Sequence, residues 1–473
     1  MATDGRFVAN HSKTLALVAV GSTLEFYEFQ VFGMFTVVIG HLFFAPDMPG
    51  WVRSFATFSL LAFAFFFRPV SGALVGHFGD RHGRKKSFAL TLLLMAAPTL
   101  LIGCLPTYAQ IGLAAPLLLM LLRILQGMAG AGEMAGAAVF VTEYLPAKRV
   151  GLASGVLYGA IHGGYILAAA ISTLVIVLLT PAELMSFGWR IPFILGGLMG
   201  FIAVWLRRSL RETPLFAHLA EIRTPAHAKP VRAVLRNFRG QVVLVAGLAG
   251  YVGVVVSTAF LYVPTWLQSD QHVSQSVIFK IITAAFLVMS VAAPAWGWLS
   301  DRIGVCRALA IGAVGTAALS WGFYLNLDVA VQDPLLLGAW FAGLAFTAGS
   351  AGCAFALASS VFPTWLRLSG LGMSYNLGLA IFVGLTPMTL AWLTHTFGSI
   401  PIPLYISGAC LLGVVVAIAS LRFRNYLVTP ETEPQSVEPT YNDSKGNQDG
   451  LDARLPRSRY AHLNPVQKKE QMR

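Results

Sequence analysis

Gly76-His77-Phe78-Gly79-Asp80-Arg81-His82-Gly83-Arg84-Lys85-Lys86 is a short, basic, glycine-bearing stretch between two long apolar runs. The run before it, residues 51–75, holds Arg68-Pro69 but is otherwise almost wholly apolar, and the run after it, residues 87–105, carries no charge. A helix needs roughly 20 apolar residues to cross the hydrocarbon core of a bilayer. The stretch is therefore a tight loop between two membrane spans, and its Lys/Arg excess marks the inner side. Its glycines let the chain turn sharply and let helices approach closely. The pattern returns in Gly297-Trp298-Leu299-Ser300-Asp301-Arg302-Ile303-Gly304-Val305-Cys306-Arg307, at an offset of 297 − 76 = 221 residues. A repeat at about half the chain length means two related halves.

Composition agrees. The chain is 56% hydrophobic and 11% charged, against about 25% charged in soluble domains. The formal charge of +12 sits in loops beside apolar runs, so it reports membrane topology and not a nucleic-acid partner. Cys104, Cys306, Cys353 and Cys410 are scattered without metal-ligand spacing. No phosphate-binding Gly-x-x-x-x-Gly-Lys-Ser/Thr loop, Gly-x-Ser-x-Gly elbow or zinc-ligand His pair on a span is present. These features argue against an ATP-driven pump and against an enzyme. No cleavable signal is expected; the first span would direct insertion itself.

Twelve apolar runs follow in order. The expected organisation is a first six-helix bundle over residues 1–206, a basic linker over 207–239, a second bundle over 240–423 and a disordered tail over 424–473. With twelve spans both termini face inward, and the Lys/Arg residues then fall mostly in inner loops.

The doubled Gly-x-x-x-Asp-Arg-x-Gly loop resembles the signature loop of the major facilitator superfamily. Further segments resemble its metabolite:H⁺ symporter family, which includes permeases for citrate, α-ketoglutarate, shikimate and proline/betaine. These are Gly21-Ser22-x-x-Glu25-Phe26-Tyr27-Glu28, Arg68-Pro69-x-x-Gly72, Arg123-x-x-Gln126-Gly127, Trp189-Arg190-Ile191-Pro192, Arg207-Arg208 and Tyr375-Asn376-Leu377-Gly378. Four features depart from that pattern: Glu28 stands where the family usually has Asp, Val305-Cys306 replaces the basic end of the second signature loop, no acid precedes Phe362-Pro363, and span 5 offers Tyr158 and His162 in place of the family's Ser-x-Gln pattern. The resemblance implies an all-α membrane protein of 12 transmembrane helices in two pseudo-symmetric six-helix bundles.

Charged groups inside spans are expensive and mark function. Glu25 and Glu28, at i,i+3, share a helix face and are candidates for proton coupling. Glu133 has two readings, proton site or partner of a basic group. Arg123 is the candidate for an anionic substrate, since guanidinium is permanently charged and forks onto carboxylates; its other reading is a salt bridge to Glu25, Glu28 or Glu133. Glu133 lies about 280° around the helix from Arg123, so the two do not share a face. Tyr27, Gln126, Tyr158 and His162 complete the candidate substrate site. By resemblance, Asp80, Arg81, Arg84, Asp301 and Arg302, joined by Arg149 and Arg367, form a gate at the inner ends of the spans.

The expectation is a monomeric, proton-coupled secondary transporter of a bacterial inner membrane that needs no cofactor and imports a small organic anion, with di- or tricarboxylates favoured. A proline/betaine symporter and an exporter of an amphiphile or siderophore are the alternatives. Its partners are the substrate, protons and the lipid bilayer.

Overall fold

The computed structural model describes residues 2–48, 56–57, 60, 66–145, 147–210, 212–213, 216–217 and 230–421. The expected tail lies outside them, as does part of the linker. The described chain is helical, with no strand among these residues. Its principal helices are α1 (Ala2–Met34), α2 (Arg68–His82), α3 (Arg84–Cys104), α4 (Ala114–Tyr144), α5 (Val150–Leu178) and α6 (Arg190–Arg207) in the first half. The second half has α7 (Arg239–Ser257), α8 (Gln275–Ile303), α9 (Val305–Leu325), α10 (Pro334–Ala348), α11 (Arg367–Phe397) and α12 (Pro401–Ser420). Among the described residues, eleven helical stretches are long and apolar enough to span a membrane. The remaining span is represented by α2, because most of the apolar run before it lies outside the described residues.

Several spans break or change pitch along their length. The first breaks at Phe35 and resumes as Thr36–Phe43. The seventh widens by one turn at Thr258–Tyr262 before continuing as Val263–Ser269. The tenth tightens over Gly349–Gly352 and continues as Cys353–Ser360. The linker contains a short helix, Pro230–Asn237.

The signature loops turn in the same way. Gly83 (φ 116°) ends α2 and Gly304 (φ 95°) ends α8. Both backbones lie where a side chain would be strained, and each N–H bonds back to the carbonyl four residues earlier. At the far end, Thr180 and Glu183 form a reciprocal cap before α6, and Asp333 caps α10 through the Leu335 N–H at 2.9 Å.

Two seams join the halves: α2 packs along α11, and α5 along α8. Backbone meets backbone at both. A Cβ on Gly76 would lie 2.5 Å from Ser369 Cα, and one on Gly155 would lie 3.0 Å from the Ala293 carbonyl carbon. The core is continuous across the second seam, with Met134, Tyr158 and Ile161 in one cluster with Met289, Ala293 and Phe355. A separate cluster in the first half packs Phe32, Phe35 and Phe43 around Trp189, whose ring meets Phe43 edge-on at 5.5 Å. Exposed Leu174, Val177, Val243 and Leu411 present apolar side chains outward, as lipid contact requires.

Candidate substrate and proton site

Away from the signature-loop end, the first half buries three acids (Glu25, Glu28 and Glu133) and three arginines (Arg68, Arg123 and Arg207). Arg68 Nη2 donates to Glu25 Oε1 at 3.2 Å. Arg207 grips Glu133 with both terminal nitrogens, one of them at 2.8 Å from Oε2, and lies 3.6 Å over the Phe88 ring. Thr91 adds a hydroxyl to Glu133 at 3.1 Å. Glu28 and Arg123 are linked through an amide: Arg123 Nη1 donates to Gln126 Oε1 at 2.8 Å, and Gln126 Nε2 donates to Thr99 at 2.7 Å and to Glu28 Oε2 at 3.3 Å. Arg123 stacks 4.0 Å over Phe32 and has no carboxylate within 4 Å among the described residues. Glu25 Oε2, Glu28 Oε1 and Arg123 Nε have no hydrogen-bond partner among those residues. Glu133, by contrast, is saturated by Arg207 and Thr91, which is its pairing reading.

Glycines make room for these charges. A Cβ at Gly21 would collide with the Arg207 guanidinium, and one at Gly130 would stand 2.7 Å from Glu25 Oε1 and 2.9 Å from Arg68 Nη2. The small residues of α1 and α4 therefore accommodate ion pairs as well as close helix packing.

The polar candidates divide. Gln126 stands at the centre of the Glu28–Arg123 bridge. Tyr27 is fully buried, and its hydroxyl donates to the Pro192 carbonyl at 2.8 Å, so it ties α1 to α6. His162 Nδ1 lies 2.8 Å from the Tyr158 carbonyl one turn back. The Tyr158 ring meets Phe355 of the second half at 6.2 Å. Between the halves runs an aromatic strip: Phe26 lies edge-on to Tyr165 at 5.4 Å, and Tyr165 stacks on Phe286 of α8 at 4.9 Å. All three rings are half-buried. Phe26 is adjacent to Glu25, so acid, base and half-buried rings share one neighbourhood.

At the signature-loop end, the two repeats work across the seams. Asp80 accepts the backbone N–H groups of Leu368 and Ser369 at 3.2 and 2.7 Å. Asp301 accepts those of Gly151 and Leu152 at 2.7 and 2.8 Å. Each acid thus caps the N-terminal turn of a helix in the opposite half, where orphan N–H groups and the helix dipole favour an anion. Around Asp80 there is more. Arg84 binds Asp80, both oxygens of Glu143 at 3.3 Å, and the Thr364 carbonyl of the second half at 2.6 Å. Arg367 reaches Glu143 Oε1 at 3.3 Å, and Thr213 donates to Glu143 Oε2 at 2.8 Å. Arg81, Arg149 and Arg302 are exposed, with Arg302 stacked 3.6 Å over Trp298. The seven expected gate residues are therefore not one cluster: Asp80, Arg84 and Arg367 come together, Asp301 stands alone at the other seam, and three arginines lie outside.

Four contributors escaped the sequence reading: Arg68, Arg207, Glu143 and Glu212. Arg68 and Arg207 are arginines at the edge of apolar runs, a signal that was visible. Glu143 looked like an ordinary loop acid. Glu212 accepts the N–H groups of Arg84 and Lys85 at the start of α3, at 3.0 and 3.2 Å.

The Major Facilitator Superfamily profile matches residues 29–282 and 272–447. The chain belongs to the major facilitator superfamily. It is similar to a putative proline/betaine transporter of Staphylococcus haemolyticus, with 33% identity over 85% of this chain and 86% of the relative. It is also similar to the glycine betaine/proline/ectoine/pipecolic acid transporter OusA of Dickeya dadantii, 31% identical over 85% of this chain and 80% of the relative. Among solved structures, the proton:xylose symporter XylE superposes with a TM-score of 0.72 at 16% identity, over 88% of this chain and 96% of that one. FucP in its outward conformation gives 0.64 at 15% identity, over 86% and 98%. This major facilitator is therefore a multi-pass membrane transporter and not an enzyme.

Proposed function

We propose that this major facilitator is a proton-coupled symporter importing small zwitterionic ammonium carboxylates of the betaine and proline type. The observation that carries the reading is the balanced charge of the interior beside half-buried aromatic faces. The sequence pointed to di- or tricarboxylates because Arg123 stood out as the main buried cation. Arg68 and Arg207 change that balance: Glu25, Glu28 and Glu133 face three arginines. An interior with no excess positive charge suits a substrate that carries both signs. Ring faces such as those of Phe26, Tyr165 and Phe286 attract quaternary ammonium groups. The names of the relatives agree.

In this reading Arg123 takes the substrate carboxylate, the ammonium group lies against the aromatic strip, and Glu28 carries the coupled proton. Glu25 stays paired with Arg68 and adds negative potential near the ammonium group. The signature-loop end faces the cytoplasm with both termini, and the capped seams hold it shut while the site loads from outside. Capture of proton and substrate lets α5 and α11 slip from Asp301 and Asp80, which opens the site inward. The protein sits in the bacterial cytoplasmic membrane as a monomer.

The test is tracer uptake into proteoliposomes with an inward proton gradient, comparing glycine betaine, proline, succinate and citrate. Betaine or proline uptake that acidifies the lumen supports the reading, as does loss of affinity in Phe286→Ala and Arg123→Ala. Uptake confined to succinate or citrate sinks it and restores the organic-anion reading.

A further inference from the structure

We propose that the cavity between α2 and the helix Pro230–Asn237 binds the headgroup phosphate of an anionic phospholipid, tying the two halves together at the signature-loop end. The cavity measures 510 Å³ and is lined by His77, Val231, Arg232, Leu235, Arg236 and Arg239. Every polar side chain in that lining is basic. Arg232 and Arg236 make no ion pair within 4 Å among the described residues. The buried acids of this end are engaged elsewhere: Asp80 caps α11, and Glu143 is held by Arg84, Arg367 and Thr213. The cavity therefore concentrates uncompensated guanidinium groups, whose planar forks suit phosphate oxygens.

The rest of the lining separates a membrane lipid from a soluble anion. Pro230–Asn237 is amphipathic: Pro230 and Val234 are buried, while Arg232 and Arg236 are exposed. Leu235 is 53% exposed and, with Val231, forms an apolar wall next to the arginines. Arg239 begins the membrane span Arg239–Ser269, so the cavity lies at the level where the hydrocarbon region starts. Its guanidinium is steadied by a 2.9 Å bond from Nε to the Leu235 carbonyl. A basic rim over an apolar wall at that depth is the chemistry that holds a lipid phosphate with its glycerol and acyl stem.

The position gives the site a consequence. His77 follows Gly76, which abuts Ser369, and precedes Asp80, which caps α11. The helix Pro230–Asn237 packs on α2, on α11 and on the Thr364–Leu366 turn. A phosphate bridging α2 to this helix braces the first seam in its closed arrangement.

The experiment is thermal unfolding of the purified full-length protein in neutral detergent, read by tryptophan fluorescence. Dioleoylphosphatidylglycerol, dioleoylphosphatidylcholine and inorganic phosphate are titrated separately. Phosphatidylglycerol alone should raise the unfolding temperature. Each Arg→Gln at 232 or 236 should weaken its half-saturating concentration by roughly five-fold, while Arg302→Gln, outside the cavity, should leave it unchanged. Should R232Q/R236Q fold poorly, R236Q alone carries the same expectation. Equal stabilisation by phosphatidylcholine, an unchanged titration in R236Q, or full replacement by inorganic phosphate would each overturn the proposal. The readout needs no transported substrate, so its failure is distinct from failure of the symport reading.

Discussion

Gly21 lies against a charge. Its missing side chain leaves space for the Arg207 guanidinium that binds Glu133. Breaking one partner of a buried pair costs about 3–5 kcal/mol, so Gly21→Ala and Glu133→Gln should destabilise the protein by comparable amounts. Because they damage the same contact, the double variant should lose less than the sum of the two, measured by thermal unfolding of purified protein. Glu28 differs from Glu133 in having one oxygen without a partner. Glu28→Gln is therefore expected to fold, to retain substrate exchange across the membrane, and to lose accumulation driven by a proton gradient. Counterflow assays with and without the gradient separate these two activities. The i,i+3 placement of Glu25 and Glu28 was legible in the sequence. The partners of Glu25 and Glu133 were not, because a helical wheel compares positions on one helix, while Arg68 and Arg207 arrive from neighbouring helices 43 and 74 positions away from the acids they bind.

Two loops of one repeat have become unequal devices. Asp80 and Asp301 each cap a helix of the other half, yet only the first is embedded in a cluster. The repeat offset places Val305 where the first loop has Arg84 (84 + 221 = 305), so the second loop has no guanidinium at the position from which Arg84 binds Asp80 and Glu143. A hydrogen bond to a charged group contributes about 1.5–3 kcal/mol. Asp80→Asn, which also strips Arg84 of a partner, should open its end more than Asp301→Asn. Cys353 is a native reporter, buried against the Trp296 carbonyl at 3.6 Å. With the other three cysteines replaced by serine, its alkylation should accelerate in both variants and more strongly in Asp80→Asn; equal acceleration would refute the asymmetry. The sequence announced both loops and the loss of basic residues in the second. It could not announce that Asp80 and Asp301 accept from backbone amides, since a set of free N–H donors belongs to a helix end and not to any residue type.

Across the molecule, the buried Asp, Glu, Lys and Arg side chains among the described residues balance. Five acids (Glu25, Glu28, Asp80, Glu133, Glu143) meet five arginines (Arg68, Arg84, Arg123, Arg207, Arg367). A carrier returns to its starting state in every cycle, so the charge moved per cycle is that of its cargo. A zwitterion with one proton carries one positive charge, favoured by about 2.3 kcal/mol per 100 mV, negative inside. An imposed potassium diffusion potential of that sign should accelerate uptake of glycine betaine into proteoliposomes, and slowing would contradict the cargo assignment. The architecture was legible from the spacing of apolar runs and the doubled loop; the charge balance of the interior was not, because Arg68 and Arg207 stand at span edges in the sequence and leave Arg123 as the main buried cation. The pairing also has a consequence for how the protein is made. As the chain leaves the ribosome, Glu25 has no partner until α2 emerges, and Glu133 must wait through α5 for Arg207. A lone acid at the centre of a membrane helix costs about 2.5–3.5 kcal/mol to insert. The first six helices should therefore leave the translocon as a group. Pulse-chase labelling of nascent chains should find a truncation at residue 178 degraded and one at residue 213 retained, which would make Arg207 the residue that completes the first half.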